Sequence, residues 1–194
     1  MKKFLAMGIL AAAMAVPAVA GTSTWTIDPM HANAQFLVRH LGISTIQGEF
    51  TKVNGTVTLD DSDITKSSVN ATIDVGSINT RVTRRDDDLK SEHFFNADKF
   101  PTMTFQSTKI VKTGEGTEKM TGNLTIRGVT KEVTFDVTGP TAPINAMGGM
   151  RRGVSATTKI NRQDFGVSAD PGMVGDDINI MIDFEMAAPA PPKA

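Results

Sequence analysis

Apolar and polar residues alternate with period two along most of this chain. The clearest run lies between 178 and 186, where Ile178, Ile180, Ile182, Phe184 and Met186 occupy every second position. Because successive side chains of a β-strand point to opposite faces of the sheet, this run predicts a strand with one buried face. The same pattern recurs at Trp25 to Ile27, Phe36 to His40, Val53 to Leu59, Val69 to Val75, Met103 to Phe105, Met120 to Ile126, Val133 to Val137 and Val154 to Ile160.

These runs predict an all-β protein of about eight or nine strands, a number that suits a small closed antiparallel barrel. Asp28-Pro29 predicts a short turn that caps a first helical turn before a strand at 34–40. Arg127 to Thr130 predicts a tight turn in which Gly128 has a positive φ, and 139–149 predicts a longer loop.

The alternation stops between 78 and 101, where charged residues crowd together and end at Phe94-Phe95. We expect a long charged loop or a short helix near residues 81–100, since long connections in compact domains usually serve a binding site or carry their own helix. Two roles for Phe94, Phe95 and Phe100 stay open. They bury this segment on the barrel rim, or they gate the mouth of the barrel.

The two ends of the chain differ in composition from its middle. Residues 1–20 combine Met1-Lys2-Lys3, an apolar stretch from 4 to 16 and the small-x-small sequence Ala18-Val19-Ala20. This pattern predicts a cleaved export signal rather than a transmembrane anchor, which needs about 20 uninterrupted apolar residues. We therefore expect a signal peptide at 1–20, a barrel domain at 21–186, a disordered tail at 187–194 and a periplasmic location.

Composition excludes several classes of partner. Without residues 1–20 the chain has 18 Lys and Arg (20 minus Lys2 and Lys3) against 21 Asp and Glu, a charge of −3. Neither nucleic acid nor an anionic membrane surface is therefore an expected partner. Tyrosine is absent and there is one tryptophan, whereas outer-membrane barrels carry aromatic girdles. We expect no stable membrane insertion.

Motifs for metal or nucleophilic chemistry are missing from the sequence. His31, His40 and His93 show no metal-ligand spacing, and neither a nucleophile elbow nor a phosphate-binding loop occurs. We expect no obligate metal or redox cofactor and no enzyme activity. His40 continues the apolar face of Phe36 and Val38, which leaves two interpretations: a core histidine bonded to backbone, or a polar group that faces a ligand.

An ordered series of short motifs resembles the YceI-like family. The opening block comprises Trp25 to Asp28, His31, and the segments 36–44 and 48–50. The rest follows at 77–80, 85–87, 89–91, 94–96, 100–105, 122–131, 161–166 and 174–176. The resemblance covers nearly all of the chain after residue 20. One position departs from it, because Asp88 stands where the family usually carries a histidine.

The resemblance implies a lipocalin-like antiparallel barrel in the periplasm whose elongated apolar cavity binds polyisoprenoids or similar long-chain lipids. It implies no established catalytic activity. Small residues on the presumed inner faces, Gly55, Ala71, Gly122, Ala156 and Thr158, favour such a cavity. The alternative is that the glycines permit strand curvature and large neighbours fill the space.

The first functional hypothesis is carriage or sequestration of a long-chain apolar small molecule. An isoprenoid lipid, a quinone or a prenyl phosphate is a candidate ligand, and a homodimer is left open. The second hypothesis is an enzyme that acts on such a lipid through His40 and a carboxylate such as Asp88. The candidate ligand-binding residues are Phe36, Val38, His40, Ala71, Ile73, Arg85, Asp88, Phe94, Phe95, Met103, Phe105, Leu124, Ile126, Phe135 and Ala156.

Overall fold

The computed structural model describes residues 21–190, and these form an all-β barrel with one short helix. The helix is α1 (Thr83–Lys90). The strands are β1 (Ser23–His40), β2 (Ser44–Phe50), β3 (Val53–Leu59), β4 (Ser68–Asp74), β5 (Ile78–Asn79), β6 (Thr102–Gly114), β7 (Thr117–Ile126), β8 (Val129–Thr138), β9 (Ile144–Ala146), β10 (Gly149–Asn161) and β11 (Val174–Pro189).

Eight of the strands close the barrel, in the order β1-β3-β4-β6-β7-β8-β10-β11 and back to β1. All neighbouring pairs are antiparallel, and the closing pair places Phe36 opposite Ile180. β2 continues the line of β3 along β1, while β5 and β9 are short additions to β2 and β10. The predicted fold class is confirmed, because closure pairs every long strand on both sides.

The turn predicted at Asp28-Pro29 is wrong, because β1 runs through it as one strand of 18 residues. The register with β11 shifts between Ile27 and Ala32, which marks a β-bulge. Proline lacks an amide hydrogen, so a bulge is where a strand tolerates it. The Asp28 carboxylate accepts a hydrogen bond from the Met30 amide at 3.0 Å. It therefore stabilises the bulge and caps no helix.

The segment predicted near 81–100 contains α1, which begins beside Thr80. The Asp86 carboxylate accepts hydrogen bonds from the Thr80 amide and hydroxyl at 2.8 and 2.5 Å. Arg127 reaches the same end of the barrel and donates to the carbonyl of Glu92. We call this the helix end, and the end that carries the β6–β7 turn the hairpin end.

Turns and termini follow the predictions in part. The predicted tight turn joins β7 to β8 through Arg127 and Gly128, with φ values of 51° and 76°, so the arginine also adopts a left-handed conformation. The predicted loop at 139–149 contains β9. The tail boundary at 187 is wrong, since β11 continues to Pro189. The export-signal prediction falls on residues 1–20, which lie outside the described part. Between residues 21 and 190 no helix is long and apolar enough to cross a membrane.

Candidate functional site: an apolar cavity inside the barrel

The inner faces of the strands enclose a cavity of about 230 Å³. Its lining extends from Phe94 and Phe165 at the helix end to Ile64 and Ile110 at the hairpin end. The alternate residues 178 to 186 of β11, which the sequence pattern singled out, all contribute to it. Alternation therefore produces a cavity wall as well as a sheet.

Side chains in the middle of the barrel face inward without being fully buried. Phe36, Ile73, Phe105 and Ile180 line the cavity and remain half-buried. In a packed core such residues would have close neighbours on all sides. Ile27 is 2 % exposed, so part of the interior is packed. The remaining accessible surface is the wall of a cavity that neighbouring side chains do not fill.

Aromatic rings narrow the cavity at defined positions. The rings of Phe105 and Phe135 lie 5.2 Å apart edge to face, and the ring of Phe50 lies 5.8 Å from Phe36. Gly122 lies against the Phe105 ring, and a Cβ there would overlap it. The interpretation of Gly122 as space for a ligand is therefore wrong, since a neighbouring ring occupies that space.

All the apolar candidates from the sequence line this cavity. They are Phe36, Val38, Ala71, Ile73, Phe94, Phe95, Met103, Phe105, Leu124, Ile126, Phe135 and Ala156. Phe94 and Phe95 project from the segment after α1, and the Phe95 ring lies 5.7 Å from the Phe50 ring. Phe100 instead packs against the Gly128 turn. Phe94 and Phe95 therefore form part of the cavity wall, while Phe100 packs on the rim.

The polar candidates do not line the cavity. The Arg85 guanidinium donates to the hydroxyl and carbonyl of Thr80, both at 2.8 Å. Asp88 lies on the exposed side of α1, and its carboxylate is 3.2 Å from Nδ1 of His93. His40 ends β1, where its carbonyl accepts from the Ile43 amide. Local hydrogen bonds hold the side chains of Arg85 and Asp88, a result that period-two alternation does not anticipate.

The proposed enzyme pair is not assembled. Among the described residues no hydrogen bond or ion pair joins His40 to Asp88. The structure instead brings together two groups that sequence spacing did not reveal: Asp28, His31 and Glu185, and Asp88, His93 and Asp170. Both lie outside the cavity lining.

Neither group is arranged as a preorganised metal-binding site. The Arg151 guanidinium forms an ion pair with Asp28 and lies 3.9 Å from Glu185, so a cation already occupies the first group. In the second group, Nδ1 of His93 faces Asp88 while Nε2 faces Asp170. The two carboxylates therefore approach opposite sides of the ring.

Arg162 is a polar lining residue that the sequence analysis missed. It is 5 % exposed, and its guanidinium donates to the carbonyls of Val167, Ala169, Val174 and Gly175 at 2.7 to 3.0 Å. Backbone carbonyls thus satisfy the N–H donors of Arg162, and the Asp176 carboxylate, 3.1 Å from the guanidinium, pairs with its charge. This side chain holds the loop between the Arg162–Phe165 turn and β11 against the helix end.

Glu118 is a second missed residue, at the other end of the cavity. It is 6 % exposed and lies on β7 in alternation with Met120, Gly122 and Leu124. Burial raises the pKa of its carboxyl, and the positive charge of Lys112 opposes that shift. The alternation could have found it, because the inner face of Met120 to Ile126 extends one step further to Glu118.

Comparison with known protein families matches residues 25–186 to the YceI-like domain. The chain belongs to the YceI-like family. A UPF0312 protein of Serratia proteamaculans is 37 % identical over 95 % of this chain and 97 % of its own length. Protein YceI of Salmonella arizonae is 36 % identical over the same shares of the two chains.

Solved structures show the same barrel. The YCEI protein of Campylobacter jejuni is 33 % identical and superimposes with a TM-score of 0.69 over 77 % of this chain and 89 % of its own. BcnA of Burkholderia cenocepacia superimposes with a TM-score of 0.73, at 24 % identity, over 82 % and 98 %. A polyisoprenoid binding domain from Saccharophagus degradans gives 0.63, at 14 % identity, over 85 % and 98 %. The last two likenesses show the fold alone.

Proposed function

We propose that this protein binds one long-chain apolar molecule, an isoprenoid lipid or quinone, in the barrel cavity and carries or sequesters it in the periplasm. The observation that carries the proposal is the continuous apolar wall from Phe94 to Ile110, with inward-facing side chains that leave space between them. A neighbour of the same fold is described as a polyisoprenoid binding domain. An eight-stranded barrel has room for a single ligand of this kind.

The energetic argument favours a long chain over a compact molecule. Each CH₂ moved from water to an apolar wall contributes about 0.8 kcal/mol, so one five-carbon isoprene unit contributes about 4 kcal/mol before ordering costs. Few polar groups line the wall: Gln35, Ser67, Glu118 and Arg162. Chain length would therefore dominate affinity, and the polar end would adjust it.

Binding without catalysis is part of the same proposal. His40 and Asp88, the pair first considered for chemistry, are absent from the cavity lining, and the Arg162 guanidinium is hydrogen-bonded to backbone carbonyls. No nucleophile with an adjacent base faces the cavity in the described part of the chain. A carrier that releases its ligand unchanged fits this lining.

The test is the mass spectrum of an organic extract from protein purified out of the periplasm. We expect one long-chain apolar molecule per chain. The intact protein mass should be that of a chain whose first residue is Gly21, after the small-x-small sequence. Purified protein stripped of lipid should then bind an added polyprenol. Protein that holds no lipid and fails to bind the polyprenol would refute the carrier function. Retention of residues 1–20 would refute the proposed export.

A further inference from the structure

Three exposed apolar side chains belong to two turns that meet at the helix end. Leu41 and Ile43 lie in the β1–β2 turn, and Met173 lies in the turn before β11. Their exposed fractions are 49 %, 80 % and 50 %, so these turns present apolar surface to solvent. The Leu41 amide donates a hydrogen bond to the Met173 carbonyl at 2.7 Å, which joins the two turns. We call these three residues the apolar tip.

The apolar tip adjoins the cavity. Val38 and Val174 line the cavity on the two strands that lead directly into the tip. The turn before β11 also meets the segment after α1, because Nε2 of His93 lies 3.6 Å from the Asp170 carboxylate. That segment, residues 91–101, supplies cavity wall without belonging to a strand. The wall can therefore open beside the tip without loss of strand pairing.

The backbone of the apolar tip is hydrogen-bonded within the protein. The Ile43 amide donates to the His40 carbonyl at 3.1 Å, and the Arg39 guanidinium donates to the Gly42 carbonyl at 2.6 Å. The Met173 carbonyl accepts the bond that joins the two turns. Water can satisfy such groups in an exposed turn, whereas the hydrocarbon of a lipid surface cannot. Apolar side chains over a satisfied backbone therefore suit contact with lipid.

Other exposed apolar residues lack this position. Met30 lies in the bulge of β1, and Ile144 and Met147 belong to β9 and the turn that follows it. They lie toward the opposite ends of β1 and β10, away from the segment after α1. They therefore provide a comparison surface of the same chemistry that has no link to the helix end.

We propose that the apolar tip docks on the surface of a lipid bilayer, where the ligand passes between the bilayer and the cavity. The inference rests on the proposed lipid-binding function and adds the partner that supplies or receives the ligand. Passage through water would disfavour each exposed isoprene unit about 1,000-fold, so direct contact with a bilayer is the favoured route. Charge contributes little, since the Asp170 carboxylate faces His93 and the chain after residue 20 is negative overall. The docking is therefore apolar and reversible, and it needs no anionic lipid.

The experiment measures the transfer of a fluorescent polyprenol from loaded protein to phosphatidylcholine vesicles. Transfer by docking becomes faster as the vesicle concentration rises, whereas transfer through water does not. For the natural sequence we expect a rate proportional to vesicle concentration, which changes by less than about twofold when phosphatidylglycerol is included. The combined variant Leu41→Asn, Ile43→Ser and Met173→Ser should transfer the polyprenol at least about tenfold more slowly. Asparagine suits residue 41, whose φ is 51°.

Control variants separate the tip from the cavity. Met30→Ser combined with Ile144→Ser removes exposed apolar side chains from the comparison surface and should leave the transfer rate unchanged. The tip variant should still bind polyprenol in solution with the affinity of the natural protein, because its three residues do not line the cavity. Ile43→Ser alone should slow transfer about threefold, which keeps the test available if the combined variant does not fold.

The possible outcomes distinguish the two proposals. A transfer rate that is independent of vesicle concentration, or equal rates for the natural protein and the tip variant, overturns the docking surface. A natural protein whose dimers the tip substitutions separate would assign the tip to a second copy, and this also overturns docking on lipid. Protein that sediments with vesicles through the tip but takes up no polyprenol overturns the lipid-binding function and supports the docking surface.

Discussion

Replacing Ala71 by phenylalanine tests whether the cavity is open space. Ala71 lies on β4 between Gly55 and Phe105 on the neighbouring strands, lines the cavity and is half-buried. The substitution adds a six-carbon ring to the wall. That ring occupies about the space of one isoprene unit, whose burial contributes about 4 kcal/mol. Full displacement of one isoprene unit from the cavity would weaken lipid binding about 1,000-fold. If the lipid chain shifts along the cavity instead, its affinity should still fall about tenfold.

Stability separates an open cavity from a filled core. If Ala71 faces open space, the ring of Ala71→Phe should cost less than about 1 kcal/mol and lower Tm by less than about 4 °C. Overpacking a filled core costs about 1 to 3 kcal/mol instead. Ala156 provides the contrast, because it is only 5 % exposed and lies between Val137 and Ile182. We expect Ala156→Phe to show the larger loss of stability.

The assay measures bound lipid by extraction and Tm by circular dichroism on the same lipid-free and lipid-loaded samples. Thr72→Phe is the matched control, since it adds the same ring one residue away on the exposed face of β4. It should retain lipid and binding affinity. A stable Ala71→Phe protein that binds lipid as well as the natural protein would refute the position of the cavity, and a loss of 1 to 3 kcal/mol would refute the open space.

Three further outcomes follow from the structure. Gly122→Val should cost about 1 to 3 kcal/mol in urea unfolding, since its side chain would overlap the Phe105 ring, whereas Asn123→Val on the exposed face should change stability by less than about 0.5 kcal/mol. Arg162→Met should lower stability by about 3 kcal/mol or more, because four backbone carbonyls lose their donor; an unchanged urea midpoint would contradict this. The hydrogen bond from Arg151, with those from Met30 and His31, lowers the pKa of Asp28 to about 2. The stability that the ionised Asp28 carboxylate supplies is therefore complete above about pH 4 and lost as pH falls toward about 2. Asp28→Asn should remove this acid-dependent loss of stability.

Strand alternation was a reliable guide because it reflects a local property of the backbone. The run 178–186 forms part of β11 with the predicted face inward. The loss of alternation after 78 marked the segment that contains α1. In both cases the signal depends only on neighbours in sequence, so a single chain suffices to detect it.

The bulge at Asp28 to His31 depended on pairing between distant segments. Asp28-Pro29 has the local signature of a turn, yet β1 continues because β11 pairs with it on both sides of the bulge, with a register shift between Ile27 and Ala32. The ion pair between Asp28 and Arg151 joins residues that lie far apart in sequence. The hydrogen bonds of the closed sheet therefore outweighed the local turn propensity of Asp28-Pro29.

The sequence by itself determined the alternating runs of the barrel strands, their inward faces and many of the apolar residues of the cavity wall, since these follow from period-two alternation. Only the tertiary structure decided which polar groups reach the cavity. Arg85 and Asp88 are held by hydrogen bonds at the helix end, and the buried guanidinium of Arg162 is held by backbone carbonyls. The reason is physical: side-chain direction is local, whereas the partners that satisfy a polar group come from strands and turns brought together by barrel closure.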